Sequence, residues 1–273
     1  MEKKKFELTD ETAFVNGHIL YRIKALQDFG DVKKNDLGGW VEKENNLSQD
    51  GNCWISDAAK VYDNAIVYDD AQVICGAQIY GWAHVYDNAL VCGGANVFDN
   101  AEVYGHAKVY KNTEVYGNAQ VSDNAIIYES AAVYDHATVS GKAFISEHAK
   151  IYDHAEVYGN SAVFGHSLIH NYAEIYGDAK IEGQSEISGN VKVCGNTNII
   201  GNAVIKSDKD YMTFKNNWSN GMTITWTRSN DMWKAGNFYG TGEELIAKGY
   251  EESKESGDKY KIIIEAINNI NSI

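Results

Sequence analysis

The chain has 273 residues, a formal net charge of -14 and no proline. Residues 50–205 hold 7 Lys and Arg against 19 Asp and Glu, which argues against nucleic acid or an anionic membrane as a direct ligand. The N-terminus turns polar at once and no apolar run could cross a bilayer, so we expect a cytoplasmic protein. The four cysteines lack CxxC spacing and are expected to be free thiols.

Residues 1–49 are predicted to form an N-terminal β cap, because an open coil would expose unpaired backbone groups. Within it, residues 19–26 form a predicted strand. The Gly38-Gly39 pair between Asp36 and Trp40 predicts a turn.

Residues 50–205 repeat one six-residue unit without insertion or deletion, as in Val61–Ile66. All 26 units carry Val or Ile in one slot, and 19 carry Ala two residues earlier. A fixed short period of this kind indicates a solenoid. We expect the Val/Ile slot to point inward from a short strand, with three strands per 18-residue coil and a rod roughly 40 Å long. Asn, Asp, Gly or His fills most positions just before Ala, which we predict to adopt positive φ.

This pattern resembles the hexapeptide-repeat proteins, and the resemblance implies a left-handed parallel β-helix. Relatives of that kind are commonly trimers packed along the rod, and many are acyltransferases with a histidine in a loop that interrupts the coils. No loop interrupts residues 50–205, which argues against catalysis and leaves an acyltransferase-like enzyme as the alternative.

Sorting the outward positions by coil predicts three walls. The first, the apolar wall, is predicted to mediate self-association into a dimer or trimer, with coverage by a terminal helix as the alternative. Its candidate contact residues are Ile74, Leu90, Cys92, Tyr110, Ile126, Tyr128, Phe144 and Phe164.

The second, the aromatic wall, carries a ladder with one ring per coil: Tyr62, Tyr80, Phe98, Tyr116, Tyr134 and Tyr152, followed by His170. Its rings are expected to stack, either for stability alone or also as a strip that binds a partner. The third, the acidic wall, carries Tyr68, Tyr86, Glu102 and Glu156 among others and is expected to be solvated.

Two histidine pairs, His136 with His154 and His148 with His166, are spaced to stack at corners. We interpret them as turn residues and expect no metal and no cofactor. Cys75 and Cys92 would be diagonal neighbours and are expected to stay reduced.

Residues 206–273 are predicted to form a C-terminal α+β domain. Residues 222–227 alternate like a strand after the hairpin signal Asn220-Gly221. Thr241 and Glu244 form a predicted capping box, and a second helix is predicted over 258–270. Trp226, Arg228 and Trp233 are candidate partner-binding residues.

Both flanks resemble repeat proteins of phages and prophages. The residues that carry this resemblance are Tyr21–Leu26, Asp28–Asp31, Leu37–Trp40, Phe238–Thr241 and the pair Glu243-Glu244. It implies an accessory protein that binds or sequesters a host protein or small molecule. A weaker hypothesis, mimicry of nucleic acid, is disfavoured because the rod carries about half the charge density of duplex DNA.

Overall fold

The structure, a computed structural model, describes residues 4–218 and 221–271. Three parallel sheets form the walls of a β-helix, preceded by an antiparallel hairpin and followed by an antiparallel sheet and two helices. The mainly β architecture with 18-residue coils that the repeat predicts is therefore confirmed.

Strands β1 (Phe6–Val15), β2 (His18–Ala25) and β3 (Leu37–Val41) and a 3₁₀ helix (Glu44–Asn46) precede the repeat. The repeat then forms two-residue strands, numbered β4 to β29 in chain order, and every third strand belongs to the same wall. The apolar wall contains Trp54–Ile55, Gln72–Val73, Leu90–Val91, Lys108–Val109, Ile126–Ile127, Phe144–Ile145, Ala162–Val163, Lys180–Ile181 and Asn198–Ile199. The aromatic wall contains Lys60–Val61, Gln78–Ile79, Asn96–Val97, Glu114–Val115, Ala132–Val133, Lys150–Ile151, Leu168–Ile169, Glu186–Ile187 and Val204–Ile205. The acidic wall contains Ile66–Val67, His84–Val85, Glu102–Val103, Gln120–Val121, Thr138–Val139, Glu156–Val157, Glu174–Ile175 and Lys192–Val193.

The core is the inward column of Val and Ile, and every member from Ile55 to Ile205 is 0% exposed. From Ile55 to Ile187, the backbone N–H groups on both sides of each Val/Ile slot donate to carbonyls of the next coil. Lys60, for example, donates to Ala77 at 2.9 Å and Tyr62 donates to Ile79 at 3.1 Å. This continuous pairing is the reason that proline is absent from the repeat, since proline has no N–H to donate. Burial of each aliphatic side chain contributes about 1.5–3 kcal/mol before chain entropy is subtracted.

The positive-φ position of the turns lies one residue earlier than predicted. Asp63 has a φ of 56°, and Gly105 and Asp135 likewise have positive φ, whereas His106 and His136, just before Ala, do not. Aspartate suits this earlier slot for a second reason: Asp63 Oδ2 accepts the Gly81 N–H of the next coil at 3.2 Å. The prediction is confirmed at Gly76, whose φ is 86°, and is wrong at turns such as these because the same small polar residue types occupy both turn positions.

The N-terminal strand prediction is confirmed by β2, but the predicted turn at Gly38-Gly39 is wrong. Both glycines lie inside β3, which pairs parallel with Lys60–Val61 and so places the cap on the aromatic wall. A Cβ on Gly38 would lie 2.6 Å from the Ile55 carbonyl oxygen, and one on Gly39 would lie 2.6 Å from that of Ala59. Close backbone approach, not turn geometry, therefore requires glycine here.

The C-terminal region contains β30 (Tyr211–Lys215), β31 (Thr223–Thr227), β32 (Met232–Ala235), β33 (Phe238–Gly240), α1 (Gly242–Glu252) and α2 (Lys254–Asn271). The predicted strand at β31 is confirmed, and so is the capping box that opens α1. Asn220 of the predicted hairpin signal lies outside the described residues.

The second helix begins at Lys254, earlier than predicted. Ser253 alone separates the two helices, and Gly257 lies within α2. A Cβ at Gly257 would collide with the Tyr250 ring of α1, which explains the glycine at this position. Neither helix, within the described ranges, is both long and apolar enough to cross a membrane.

Candidate interaction surfaces

The apolar wall presents partly exposed hydrophobic side chains along its length. Phe144 is 38% exposed, and Leu90, Tyr110 and Ile126 are half-buried. The outward positions of this wall contain no carboxylate between Gln72 and Phe164, although the whole repeat is strongly acidic. The wall is therefore a contiguous apolar stripe, as the sequence predicts, on a molecule that is otherwise negatively charged.

The two C-terminal helices do not cover this stripe. Helices α1 and α2 pack against each other and against β32 and β33, where Leu245, Tyr260 and Ile264 complete a separate core. The contact of this region with the apolar wall is made by β31 against Asn198–Ile199, the last strand of the wall. The alternative of a helix-covered wall is therefore wrong.

A hollow of about 560 Å³ interrupts the apolar wall near its middle. Ile126 forms part of its lining, together with His106, Lys108 and Lys142. The side chains of His106, Lys108 and Lys142 are all exposed. The hollow therefore combines cationic groups with an apolar side chain on the surface predicted to self-associate.

The aromatic ladder stacks as predicted. Centroids of successive rings lie between 4.8 and 5.1 Å apart, with interplanar angles of 1–5°, from Tyr62 to His170. The rings lie half-buried along the wall, and Tyr62 is 2% exposed. Burial raises the pKa of Tyr80 and of Tyr134 to about 12. The ladder thus stabilises the coils, while its role in binding a partner remains a proposal.

A histidine closes each end of the aromatic ladder, and two carboxylates hold each histidine. At the first end the His18 ring lies 5.1 Å from that of Tyr62, its Nδ1 is 3.0 Å from Glu42, and its Nε2 is 3.4 Å from Asp63. The hydrogen bond with Glu42 is the main cause of the raised pKa of His18 and of the lowered pKa of Glu42.

At the other end, His170 Nδ1 is 3.8 Å from Asp153 and Nε2 is 3.4 Å from Glu186. His18, Glu42 and Asp63 are also the group of potential metal ligands found among the described residues. Because both ring nitrogens of His18 already face a carboxylate, the arrangement favours an imidazolium cation over a bound metal.

The acidic wall contains its own shorter stacks. Tyr86 lies 4.8 Å from Tyr68 and 5.0 Å from Tyr104, and its hydroxyl donates to Glu102 at 3.0 Å. Burial and that carboxylate raise the pKa of Tyr86. These contacts hold the tyrosines against the wall and engage Glu102, whereas Glu156 of the same wall is exposed.

The corner histidines stack as the 18-residue spacing predicts. His136 lies 4.9 Å from His154, and His148 lies 4.8 Å from His166, with nearly parallel rings. Their interpretation as positive-φ turn residues is wrong, since that conformation belongs to the preceding residue. In nearly parallel rings the nitrogen lone pairs lie in parallel planes, so they do not converge on a point between the two rings.

Trp226 and Trp233 lie in the C-terminal core, where each is 2% exposed. Trp226 also donates its indole N–H to Asp231 at 2.8 Å. These two tryptophans are thus core residues and offer little surface to a partner, whereas Arg228 is exposed. The four cysteines are free thiols, and Cys75 and Cys92 form no disulfide.

The N-terminal opening of the rod is filled by Lys5, which is 1% exposed. Its ammonium donates to the carbonyl oxygens of Asp50, Gly51 and Cys53 at 3.1–3.3 Å and lies 3.2 Å from the Cys53 sulfur. Neither this contact nor the His18 pairs were predicted, because they join residues far apart in the chain that share no repeat pattern.

Comparison with known proteins supports a repeat β-helix family. Residues 119–133 match a family described as "YdcK Beta solenoid repeat". Over 63 residues the chain is 40% identical to an Escherichia coli (strain K12) protein named "Uncharacterized acetyltransferase YdcK". That alignment covers 23% of this chain and 18% of the relative, so the chain matches far less than two thirds of the relative's length.

Proposed function

We propose that this protein is a non-catalytic binding scaffold: a rod that self-associates through its apolar wall and offers its other surfaces to a partner. The observation that carries the proposal is the open apolar stripe from Gln72 to Phe164. Contiguous apolar surface on a folded protein usually marks an interaction site.

The charge distribution supports the proposal that the apolar stripe binds the same stripe of a second copy of the chain. Two acidic rods repel each other most where carboxylates face carboxylates, and the apolar wall is free of them between Gln72 and Phe164. Approach of two copies along this wall buries Phe144 and its neighbours and keeps the glutamates of the acidic wall in water.

The partner of the assembled rod is proposed to be a host protein or a host small molecule. The resemblance of both flanks to phage and prophage repeat proteins supports this part of the proposal. The half-buried rings of the ladder from Tyr80 to Tyr152 and the exposed Arg228 are the candidate contacts. An accessory phage protein that sequesters a host target needs binding surfaces and no catalytic centre.

Light scattering of the purified protein tests self-association. The parent is expected to be a dimer or trimer, and Phe144→Glu is expected to shift it toward the monomer because two carboxylates would be buried at the interface. Tyr172→Glu is the matched control, since Tyr172 is a 60% exposed aromatic residue outside the apolar wall. A monomeric parent, or equal effects of the two variants, would refute the interface.

An acyltransferase-like enzyme is the second candidate. It is supported by the name of the E. coli relative and by the hollow that contains His106, Lys108 and Lys142, which would lie between subunits of the assembled rod. Against it, strands β4 to β29 follow each other without an interrupting loop. If the protein is such an enzyme, acetyl-coenzyme A should raise its thermal midpoint, and acetyl transfer should release coenzyme A with a free thiol. His106→Ala should abolish that release. A parent with neither a thermal shift nor thiol release would exclude this candidate.

A further inference from the structure

A polar cleft lies where the C-terminal sheet docks on the end of the β-helix. The docking contact is a hydrogen bond from the Asn198 backbone N–H to Thr225 Oγ1, at 3.2 Å. Beside it the two units leave a space of about 440 Å³, which is within the usual range for small-molecule sites. None of the proposed self-association residues lines this cleft.

Two lysines face the cleft, one from each unit. Lys180 is the strand neighbour of Asn198 on the apolar wall. Lys234 lies directly opposite Thr225 in the C-terminal sheet, so both project from the sheet face that docks on the rod. Within residues 4–218 and 221–271, neither ammonium forms an ion pair, although the chain has a net charge of -14.

The same cleft contains a hydrogen-bond acceptor without a donor. Asn198 Oδ1 is buried and has no partner in the described part of the chain. Because that oxygen is enclosed by protein, the acceptor that a ligand in the cleft meets is the exposed carboxylate of Asp178. Asp178 lies on the same lining, and one of its oxygens accepts from Asn160 at 3.1 Å.

We propose that this cleft binds a small zwitterion of amino-acid size. Lys180 and Lys234 would hold its carboxylate, and Asp178 would accept hydrogen bonds from its ammonium group. A nucleotide fits less well, because the described lining contains no aromatic side chain for a base to stack on and includes a carboxylate that repels phosphate. The site lies at the C-terminal end of the apolar wall, beyond the stripe from Gln72 to Phe164.

Calorimetric titration with the twenty standard amino acids, one at a time, and with inorganic phosphate tests the site. At least one amino acid is expected to bind the parent, with affinity reduced about ten-fold or more in Lys180→Met and Lys234→Met. Lys142→Met is the matched control, because Lys142 is an exposed lysine of the same rod outside the cleft. Binding by the control is expected to equal that of the parent.

Asp178→Asn separates a zwitterion site from a plain anion site. The variant is expected to weaken amino-acid binding and to strengthen phosphate binding. The proposal is overturned if no amino acid binds the folded parent, if phosphate binds the parent more tightly than any amino acid, or if Lys142→Met weakens binding as much as Lys180→Met. Thermal midpoints of all variants establish that each is folded.

Discussion

Replacing Thr113 with valine is expected to stabilise the β-helix, which is unusual for a substitution in a core. Thr113 stands in the slot that usually holds Ala, is 0% exposed, and its hydroxyl has no hydrogen-bond partner in the described structure. Valine keeps the shape of the side chain, and Val191 shows that the slot accepts it. Removing an unsatisfied buried hydroxyl should add about 1 kcal/mol to the free energy of unfolding.

Thr197 provides the matched control because it occupies the same slot with a satisfied hydroxyl. Its Oγ1 donates to the Cys194 carbonyl oxygen at 2.6 Å. Thr197→Val should therefore lower the free energy of unfolding by about 1 kcal/mol, since it leaves that carbonyl without its donor.

Differential scanning calorimetry of the two variants decides the question. For a protein of this size, 1 kcal/mol corresponds to a change of about 2–4 °C in thermal midpoint, so the variants should differ from the parent in opposite directions. Midpoints that fall in both variants, or that change equally, would refute the assignment of Thr113 as an unsatisfied group.

Three further predictions concern the N-terminal cap. Because the pKa of His18 is raised in the folded protein, its stabilisation of the cap is complete below about pH 6.5 and is lost as the pH rises through the folded pKa. Because the pKa of Glu42 is lowered, its stabilisation is complete above about pH 4.5 and is lost as the pH falls through the folded pKa. Protection factors of the β1 and β2 amides, which divide each exchange rate by its intrinsic rate at the same pH, should therefore be largest between these values and should fall as the pH rises through the folded pKa of His18, but not in His18→Gln. Lys5→Met should lower the free energy of unfolding by about 2 kcal/mol or more in urea titrations, because three backbone carbonyls lose their donor. Gly38→Ala should expose or misfold the cap, seen as faster proteolysis, because its Cβ collides with the Ile55 carbonyl.

Each of these predictions has a result that contradicts it. A pH profile of His18→Gln that parallels the parent would show that the imidazolium does not hold the cap. Unchanged stability of Lys5→Met would mean that the carbonyls find other donors. Proteolysis of Gly38→Ala at the rate of the parent would contradict the close approach of the Ile55 carbonyl to this glycine.

The periodic part of this protein was predictable because its structure is encoded locally. One Val or Ile every six residues defines which side chains point inward, and the 18-residue coil then places Tyr62 above Tyr80 and His136 above His154. The positive-φ position was predicted one residue too late, because aspartate and asparagine, as at Asp63 and Asn64, are both suited to positive φ. The hydrogen bond that the Gly81 N–H of the next coil donates to the Asp63 carboxylate distinguishes the two positions.

The contacts at the two ends of the rod were not predictable from such a pattern. Gly38-Gly39 has the local composition of a turn, yet the backbone of the first coil approaches it closely enough to require glycine in a strand. Lys180 and Lys234 come together only because β31 docks on the last strand of the apolar wall. Contacts of this kind depend on how a non-repetitive segment folds back, and no periodicity in the sequence indicates it.

Site-specific photo-crosslinking tests the central claim, self-association through the apolar wall, most directly. A photoreactive phenylalanine analogue replaces Tyr110, on the apolar wall, or Tyr104, the matched position on the acidic wall. We expect a covalent dimer of this chain from position 110 and almost none from position 104. Equal crosslinking from both positions, or crosslinked dimer from position 104 alone, would contradict it.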